Sequence, residues 1–166
     1  MVKIKLEHDL KIAREIQQQV LPTVLPACNG YDIAAFSRPA DETGGDIYDL
    51  ARMPADEGNP DAALLIMLAD ATGHGIGPAL SVTQARAMFR IGLRLGAGLS
   101  ELVDQMDRQL DLDLDDTRFI TAFFGRLDPQ QHYIEYDAPG QAPLLHYHAA
   151  EQHCETRAAT NVPLGI

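Results

Sequence analysis

The most informative stretch of the sequence lies at residues 62–75 and reads AALLIMLADATGHG. Its first eight residues are apolar without a break, instead of alternating with polar ones. A continuous apolar run of this length is typical of a central strand that is covered on both faces. Asp70 follows the run directly, and the glycine-rich turn at residues 73–75 leads into a helical pattern. The stretch therefore predicts a buried strand that ends at a carboxylate, close to the start of a helix.

A second acidic cluster, GGDIYD at residues 44–49, lies where a turn is expected to enter a strand. A carboxylate at the end of a buried strand loses solvation, and a divalent cation is the usual compensation where carboxylates meet. Asp46 and Asp70, on neighbouring strands, would suit Mg²⁺ or Mn²⁺, and the glycine turn would offer N–H groups to a phosphate. Two simpler interpretations stay open: Asp70 or Thr72 only caps the helix, and residues 44–49 form a bend with solvated acids.

An amphipathic helix is predicted at residues 6–21, because apolar residues recur there at intervals of three and four positions. Pro22 ends the pattern. The apolar stripe consists of Leu6, Leu10, Ala13, Ile16 and Val20. This stripe packs either on the domain that follows or on a second copy of itself in a short coiled coil, and the sequence leaves both arrangements open.

Two further helices are predicted in the middle of the chain. The first follows the turn at residues 73–75 and ends at the breaker Gly96, with Pro78 acceptable in its first turn. Its expected buried positions are Ile76, Leu80, Ala87, Ile91 and Leu95. The second has Ser100 as its expected N-cap. Its expected buried positions are Leu99, Leu102, Val103, Met106 and Leu110.

Strand signals flank this helix pair on both sides. They lie at residues 31–38, 46–53 and 62–69 before the helices, and at 118–127, 131–137 and 143–148 after them. Polar turns separate them, among others at residues 54–61 and 128–130. This order of strands, a helix pair and further strands predicts a layered α+β domain and not a repeating βαβ arrangement.

Composition limits the classes of function. The chain has 166 residues, of which 46% are hydrophobic, and 13 Lys and Arg oppose 24 Asp and Glu for a net charge of −11. These values suit one globular domain, and the acidic balance argues against binding to nucleic acid or to anionic membranes. Cys28 and Cys154 have neither disulfide-framework nor zinc-finger spacing, which favours a reducing compartment. Without a signal peptide or an apolar run of about 20 residues, a soluble, cytoplasmic protein with no membrane insertion is expected.

Three polar clusters elsewhere leave their roles open. His146 and His148 face one way on a predicted strand, with His153 nearby, which zinc could use. An exposed strand face is favoured, because no acidic or cysteine partner lies within sequence reach. His74 can orient a phosphate or donate a proton, or form a structural hydrogen bond in its turn. The aspartates of residues 111–116 lack the glycine and terminal glutamate of an EF-hand loop, so a solvated loop is favoured.

Several motifs, taken in order, resemble those of the SpoIIE/RsbU branch of the PPM metal-dependent protein phosphatases. They are AREIQ and LP (residues 13–17 and 21–22), GGDIYD (44–49), ADATGHG (69–75), FITAFFG (119–125) and PLGI (163–166). The resemblance implies a PPM-type fold, an antiparallel β-sandwich flanked by helices, here preceded by an N-terminal linker helix. It also implies an enzyme that removes phosphate from Ser or Thr of a partner protein.

The resemblance further implies roles for particular residues. Asp46 and Asp70 would be the catalytic metal ligands of two Mn²⁺ or Mg²⁺ ions, with the carbonyl of Ala71 as a further ligand and Asp70 as the bridge. In such two-metal hydrolysis, metal-bound water attacks phosphorus without a covalent enzyme intermediate. Asp49 is expected to support these ligands. The residues expected to form the phosphate-facing turn are Gly45, Thr72, Gly73, His74 and Gly75.

Two departures from the family pattern affect these expectations. The family has two further metal-binding aspartates in motifs downstream of residues 163–166, where the given sequence ends. Because a hard-cation site depends on its number of charged ligands, we expect weak metal binding and low activity from this chain alone. Gln141 and Ala142 stand where the family tends to have His and Asn, which alters local contacts.

The sequence thus predicts an amphipathic linker or dimerisation helix at residues 1–26, and a PPM phosphatase domain lacking its C-terminal part at residues 27–166. The predicted function is the phosphatase output of a bacterial signalling protein, with an upstream sensory or receiver domain and a phosphoprotein substrate of the anti-anti-sigma type. Residues 6–21 would support a homodimer. The alternatives are a catalytically inactive adaptor of the same fold that binds a partner protein, and a hydrolase of small phosphate esters.

Overall fold

The computed structural model describes residues 2–39 and 43–166, with side chains described from residue 8 onward. Helix α1 covers Val2–Gln19, and after a long irregular segment the chain enters strand β1 at Asp46–Ala51. A 3₁₀ turn at Pro54–Asp56 leads to β2. The remaining elements are β2 (Leu64–Ala71), α2 (Ile76–Leu95), α3 (Leu99–Asp113), β3 (Ile120–Asp128), β4 (Tyr133–Asp137), β5 (Leu144–His148) and β6 (His153–Arg157).

The strands form an antiparallel sheet of four, in the order β1-β2-β3-β4, and a separate hairpin of β5 and β6. The apolar strand β2 lies between β1 and β3, as its continuous apolar run predicts. Asp46 at the start of β1 is the direct partner of Asp70 on β2, which in turn is paired with Thr121 on β3. The predicted α+β class with antiparallel strands and packed helices is confirmed.

The main core lies between the four-stranded sheet and the helices α2 and α3. Phe89 of α2 contacts Phe124 of β3, and Met106 of α3 belongs to the same fully buried cluster. A smaller cluster on the sheet contains Cys28, Leu50, Leu64 and Leu127. Residues of the segment before β1, including Tyr31 and Ile33, pack against that smaller cluster. The sheet is therefore supported on both faces, which holds the end of β2 in place.

The predicted strand at residues 31–38 is wrong. The segment is irregular, and only its first residue, Tyr31, forms an isolated bridge, with Cys28. Tyr31 and Ile33 face the smaller core cluster while Phe36 is 83% exposed. Alternating apolar residues indicate that one face of a segment is buried. An extended segment that packs on a sheet also has one buried face, although it forms no strand pairing with that sheet. Conversely, β6 was missed, because its sequence HCETR carries no apolar alternation.

Helix α2 has the predicted bounds but buries a different face from the predicted one. Its buried residues are Pro78, Ala79, Ser81, Val82, Ala85, Phe89 and Leu93. The predicted positions Ile76, Leu80, Ile91 and Leu95 are between 39% and 82% exposed. Small residues let this helix lie close to the sheet, so the larger aliphatic residues are left on the outer side. Helix α3 buries all five of its predicted residues, although its N-cap is Gly98 and not Ser100.

Helix α1 packs on its own domain at its C-terminal end. Gln17 is 8% exposed, and Val20 and Leu21 reach the main core. Ile16 of the predicted stripe does not pack on this domain, because it is 57% exposed, and its neighbour Ile12 is 41% exposed. The side chain of Leu6 lies outside the described residues. Among the described residues, none of the helices combines the length and the apolar character that crossing a bilayer requires.

Candidate active site

Asp46 and Asp70 lie directly opposite each other on the adjacent strands β1 and β2. Both are exposed to solvent, and neither forms an ion pair with a cation of the described residues. The pKa of the Asp70 carboxyl is raised, first because the group is partly buried and secondly because the charge of Asp46 lies nearby. Two negatively charged carboxylates on directly paired residues repel each other. A cation bound between them would remove the repulsion. The pair is therefore a candidate site for a hard metal ion.

Gly45 allows the chain before β1 to approach the end of β2. The N–H of Ala71 donates to the carbonyl of Gly45 at 3.0 Å. A Cβ at Gly45 would lie 2.6 Å from the carbonyl oxygen of Ala71 and 3.1 Å from Oδ1 of Asp70. No side chain can occupy that space, so a glycine is required where the chain before β1 lies against the Ala71 carbonyl and the Asp70 carboxylate.

The glycine turn connects β2 to α2 and contains Thr72, Gly73, His74 and Gly75. Gly73 and Gly75 have φ values of 96° and 86°, which explains the glycines. The Thr72 hydroxyl lies 3.2 Å from the carbonyl of Phe119 and 3.1 Å from its N–H, and so joins the turn to the start of β3. No side chain caps α2, so the interpretation of Asp70 or Thr72 as a helix cap is wrong. His74 is exposed on the turn.

Arg118 lies over this turn and was missed by sequence reasoning. It lines an open cavity of about 430 Å³ together with Thr72, Gly73, His74, Gly77, Pro78 and Thr117. Its Nη1 would lie 3.6 Å from a Cβ at Gly77, in the first turn of α2. Its Nε forms an exposed ion pair with Asp115 at 3.2 Å. The nearby DTRF sequence could have drawn attention to this arginine, but only the hydrogen bonds between Thr72 and Phe119 show that the loop before β3 lies beside the turn.

Residues 60–166 match a family model described as Stage II sporulation protein E (SpoIIE). The chain belongs to the SpoIIE family. This confirms the resemblance to the SpoIIE/RsbU branch of the PPM phosphatases.

Two curated relatives and one solved structure illustrate the range of similarity. Phosphoserine phosphatase RsbU of Bacillus subtilis is 25% identical over 165 residues, which are 99% of this chain and 47% of RsbU. Phosphoserine phosphatase RsbP of the same organism is 26% identical over 170 residues, which are 99% of this chain and 40% of RsbP. The SiaA-PP2C domain of Pseudomonas aeruginosa matches with a TM-score of 0.74 and 17% identity, over 99% of this chain and 65% of that domain.

The chain thus spans less than half the length of either curated relative. The likeness to the SiaA-PP2C domain shows the fold, which agrees with the SpoIIE family assignment.

In this SpoIIE-family chain, Asp49 lies apart from Asp46 and Asp70, on the opposite face of the sheet. It is fully buried beneath α2, where Arg90 donates to it through Nε at 2.6 Å and Nη2 at 2.5 Å. Nε of Arg86 lies 3.0 Å from Oδ2 of Asp49, as an ion pair without hydrogen-bond geometry. Burial lowers the pKa of Arg86, whereas the hydrogen bond with Asp49 raises that of Arg90. Asp49 therefore links β1 to α2.

Gln17 connects α1 to the loop that precedes Asp46. Its Nε2 donates to the carbonyl of Gly44 at 2.6 Å, and the N–H of Gly44 donates to its Oε1 at 3.2 Å. Both contacts are made by one nearly buried side chain, so the N-terminal helix is joined to the loop two residues before Asp46. Gln141, at a position where this chain departs from the family pattern, lies beside Thr121, with 3.4 Å between its Oε1 and the Thr121 hydroxyl.

Proposed function

We propose that this chain is part of a metal-dependent protein phosphatase that hydrolyses phosphoserine or phosphothreonine on a regulatory partner protein. The observation that carries the proposal is the direct pairing of Asp46 with Asp70, exposed and without a described cation partner, at the edge of the glycine turn. The names of RsbU and RsbP, both phosphoserine phosphatases, support the same reaction.

The donor set fits a hard divalent cation. Asp46 and Asp70 offer carboxylate oxygens, and Ala71 offers a backbone carbonyl that Gly45 brings close. Oxygen donors of this kind suit Mg²⁺ and Mn²⁺ better than softer metals. When bound, such ions would supply activated water at neutral pH and neutralise charge on the phosphoryl oxygens.

The protein's own groups would position the phosphoryl group. The hydroxyl of Thr72 fixes the turn to β3, so that the first N–H groups of α2, which have no side-chain cap, face the phosphate in a constant position. Arg118 can exchange its exposed ion pair with Asp115 for a phosphoryl oxygen, because exposed pairs are weak. His74 is accessible to the same ligand. In this proposal the turn and Arg118 orient the substrate, and the carboxylates hold the ions.

We also propose the setting of this activity. Residues 1–26 would link an upstream sensory or receiver domain to the phosphatase domain at residues 27–166, and α1 would carry the signal through Gln17. The substrate would be a cytoplasmic phosphoprotein of the anti-anti-sigma type, in line with the family. Asp49 would not contact the ions, and would support the site indirectly by holding β1 against α2 through Arg86 and Arg90.

The test is Mn²⁺ titration calorimetry together with phosphate release from a phosphoserine peptide. Both are measured on the 166-residue chain and on a version extended past Ile166 to supply the further aspartates that the family resemblance implies. Asp70→Asn preserves side-chain size but removes a charged ligand. We expect it to lower turnover more than about 100-fold. Substitution of a residue that only hydrogen-bonds to a metal ligand already lowers metal affinity or activity about 10–100-fold, and Asp70 is proposed as a ligand itself.

Asp104→Asn is the matched control, since Asp104 is an exposed carboxylate on α3. Circular dichroism checks that each variant is folded. Turnover that survives Asp70→Asn at the level of the Asp104→Asn control would contradict the proposal. Absence of Mn²⁺ binding and of turnover in both the short and the extended chain would also contradict it, and would favour the adaptor.

A further inference from the structure

Four metal-ligating side chains share one face of the β5–β6 hairpin. In the register of this hairpin, His146 is paired with Glu155, and His148 is paired with His153. Directly paired residues project to the same side, and so do residues two apart on one strand. The hairpin therefore gathers three imidazoles and a carboxylate on a surface that contains none of the residues assigned to the phosphatase site.

The side chains of His146, His148 and Glu155 converge closely. One ligand atom from each lies within 4.8 Å of the others. Nδ1 of His146 is 3.8 Å from Oε2 of Glu155, and Nε2 of His148 is 3.5 Å from the same oxygen. The ring centroids of the two histidines are 4.1 Å apart. Two ligand atoms around a tetrahedral zinc ion, each about 2.1 Å from it, are separated by about 3.4 Å, so small side-chain rotations would complete the site.

We propose that His146, His148 and Glu155 form a binding site for a zinc-class divalent transition metal, with His153 available as a fourth ligand. The ring of His153 stacks on that of His148 at a centroid distance of 6.3 Å. Two or three imidazoles with one carboxylate is a ligand set that zinc uses, often with water in the remaining position. The sequence alone disfavoured zinc here because β6 was not predicted, and β6 supplies the missing acidic partner.

Arg157 contacts Glu155 and affects the metal affinity expected at this site. Its Nη2 donates at 2.8 Å to Oε2 of Glu155, the same oxygen that lies nearest to both imidazoles. A hydrogen bond to a ligating carboxylate orients it, but the guanidinium charge also repels a bound cation. The side chains of His146, His148 and Glu155 are 56%, 36% and 41% exposed, so the ion can enter from solvent. The geometry points to a surface site of moderate affinity that ties β5 to β6.

The hairpin site differs in chemistry from the pair of Asp46 and Asp70. Imidazole nitrogen favours Zn²⁺, Cu²⁺ and Ni²⁺, whereas carboxylate and carbonyl oxygen favour Mg²⁺ and Mn²⁺. The two sites should therefore be separable by the choice of ion. The proposal does not depend on the phosphatase activity.

The experiment is calorimetric titration of the untagged chain with ZnCl₂ in the presence of excess Mg²⁺, with thermal unfolding recorded in parallel. We expect one Zn²⁺ per chain at the hairpin and a raised midpoint of unfolding, because a ligand that binds the folded state stabilises it. His148→Ala and Glu155→Gln should each weaken zinc binding at least about tenfold, because loss of a group that only hydrogen-bonds to a metal ligand already costs about 10–100-fold. Visible absorption of the Co²⁺-substituted chain should report a site of low coordination number in the wild type, and this signal should be lost in His148→Ala and Glu155→Gln.

Two controls locate the ion. His8→Ala removes an exposed histidine of α1, and Asp70→Asn alters the other candidate site, so both should leave zinc binding at the hairpin unchanged. Equal zinc affinity in the wild type, His148→Ala and Glu155→Gln would overturn the proposal. So would zinc binding that is lost only in Asp70→Asn, or no zinc binding by the folded wild type.

Discussion

At the scale of single residues, Asp49 stands out because it is the fully buried carboxylate on the core side of β1. Its charge is balanced by Arg86 and Arg90, whose side chains are 21% and 35% exposed. A buried ion pair is costly to break from one side, because the remaining partner keeps its charge without compensation. Asp49 should therefore matter for stability, whatever the chemistry at the opposite face of the sheet.

Replacing Asp49 with Ala should lower the free energy of unfolding by about 3 kcal/mol, the lower end of the range for breaking a buried pair. The lower end applies because both arginines can turn partly towards water. Asp49→Asn keeps the size of the side chain and one acceptor, so its effect should be smaller. The measurement is urea denaturation, in which one dependence of the unfolding free energy on urea concentration is fitted to all variants.

The exposed Asp104 again provides the comparison, since surface substitutions change stability by no more than about 0.5 kcal/mol. If Asp49→Ala and Asp104→Ala unfold at the same urea concentration, the ion-pair cluster contributes nothing to the fold.

The residues that the sequence could place are those whose position follows from an element boundary. Asp46 begins one predicted strand and Asp70 follows another, and antiparallel pairing of these strands brings the two carboxylates together. Arg118 and Glu155 could not be placed in this way. Arg118 reaches its cluster because the loop before β3 is hydrogen-bonded to Thr72. Glu155 reaches its cluster through the register of β6, and a change of register by one residue would move its side chain to the other face.

At the scale of elements, α1 is joined to the candidate site through one side chain. Gln17 satisfies both the N–H and the carbonyl of Gly44, much as a neighbouring strand would. Gln17→Leu keeps the bulk but leaves both backbone groups without these partners, at a cost of about 1–3 kcal/mol for an unsatisfied buried group. We expect weaker Mn²⁺ binding and lower phosphatase turnover in the extended chain, since the loop before Asp46 loses its support.

Gln17→Glu retains an acceptor for the N–H of Gly44 and should lie between the wild type and Gln17→Leu. Gln18→Leu adds an apolar residue at the adjacent exposed position of α1 and should leave Mn²⁺ affinity unchanged. Equal Mn²⁺ affinity in Gln17→Leu and Gln18→Leu would show that α1 is not coupled to the site.

The elements differ in how far the sequence determines them. Helix α3 was predicted with its buried face because its apolar residues occupy a single stripe. Helix α2 has apolar residues on two sides, and only contact with the sheet selects the side that carries small residues. The segment at residues 31–38 has the alternation of a strand without a partner to pair with, whereas β6 is a strand that lacks the alternation. Tertiary pairing, and not local preference, separates these last two cases.

At the scale of the whole molecule, two exposed apolar surfaces remain on the described helices. One is formed by Ile12 and Ile16 on α1, and the other includes Leu80, Ile91 and Leu95 on α2. Ile12 and Ile16 are one helical turn apart, on a side of α1 other than that of the buried Gln17. Helix α1 therefore packs on its own domain with one side and exposes apolar side chains on another, so the two packing arrangements left open by the sequence are compatible with each other.

We expect the chain to form a dimer through the surface of Ile12 and Ile16. The double change Ile12→Lys and Ile16→Lys should convert the dimer to a monomer in light scattering, because it places two like charges where apolar side chains would meet. Ile91→Lys is the matched control, since Ile91 is 52% exposed on the other apolar surface. A wild-type chain that is already monomeric would contradict the prediction. A dimer that survives the double change but dissociates with Ile91→Lys would place the interface on α2.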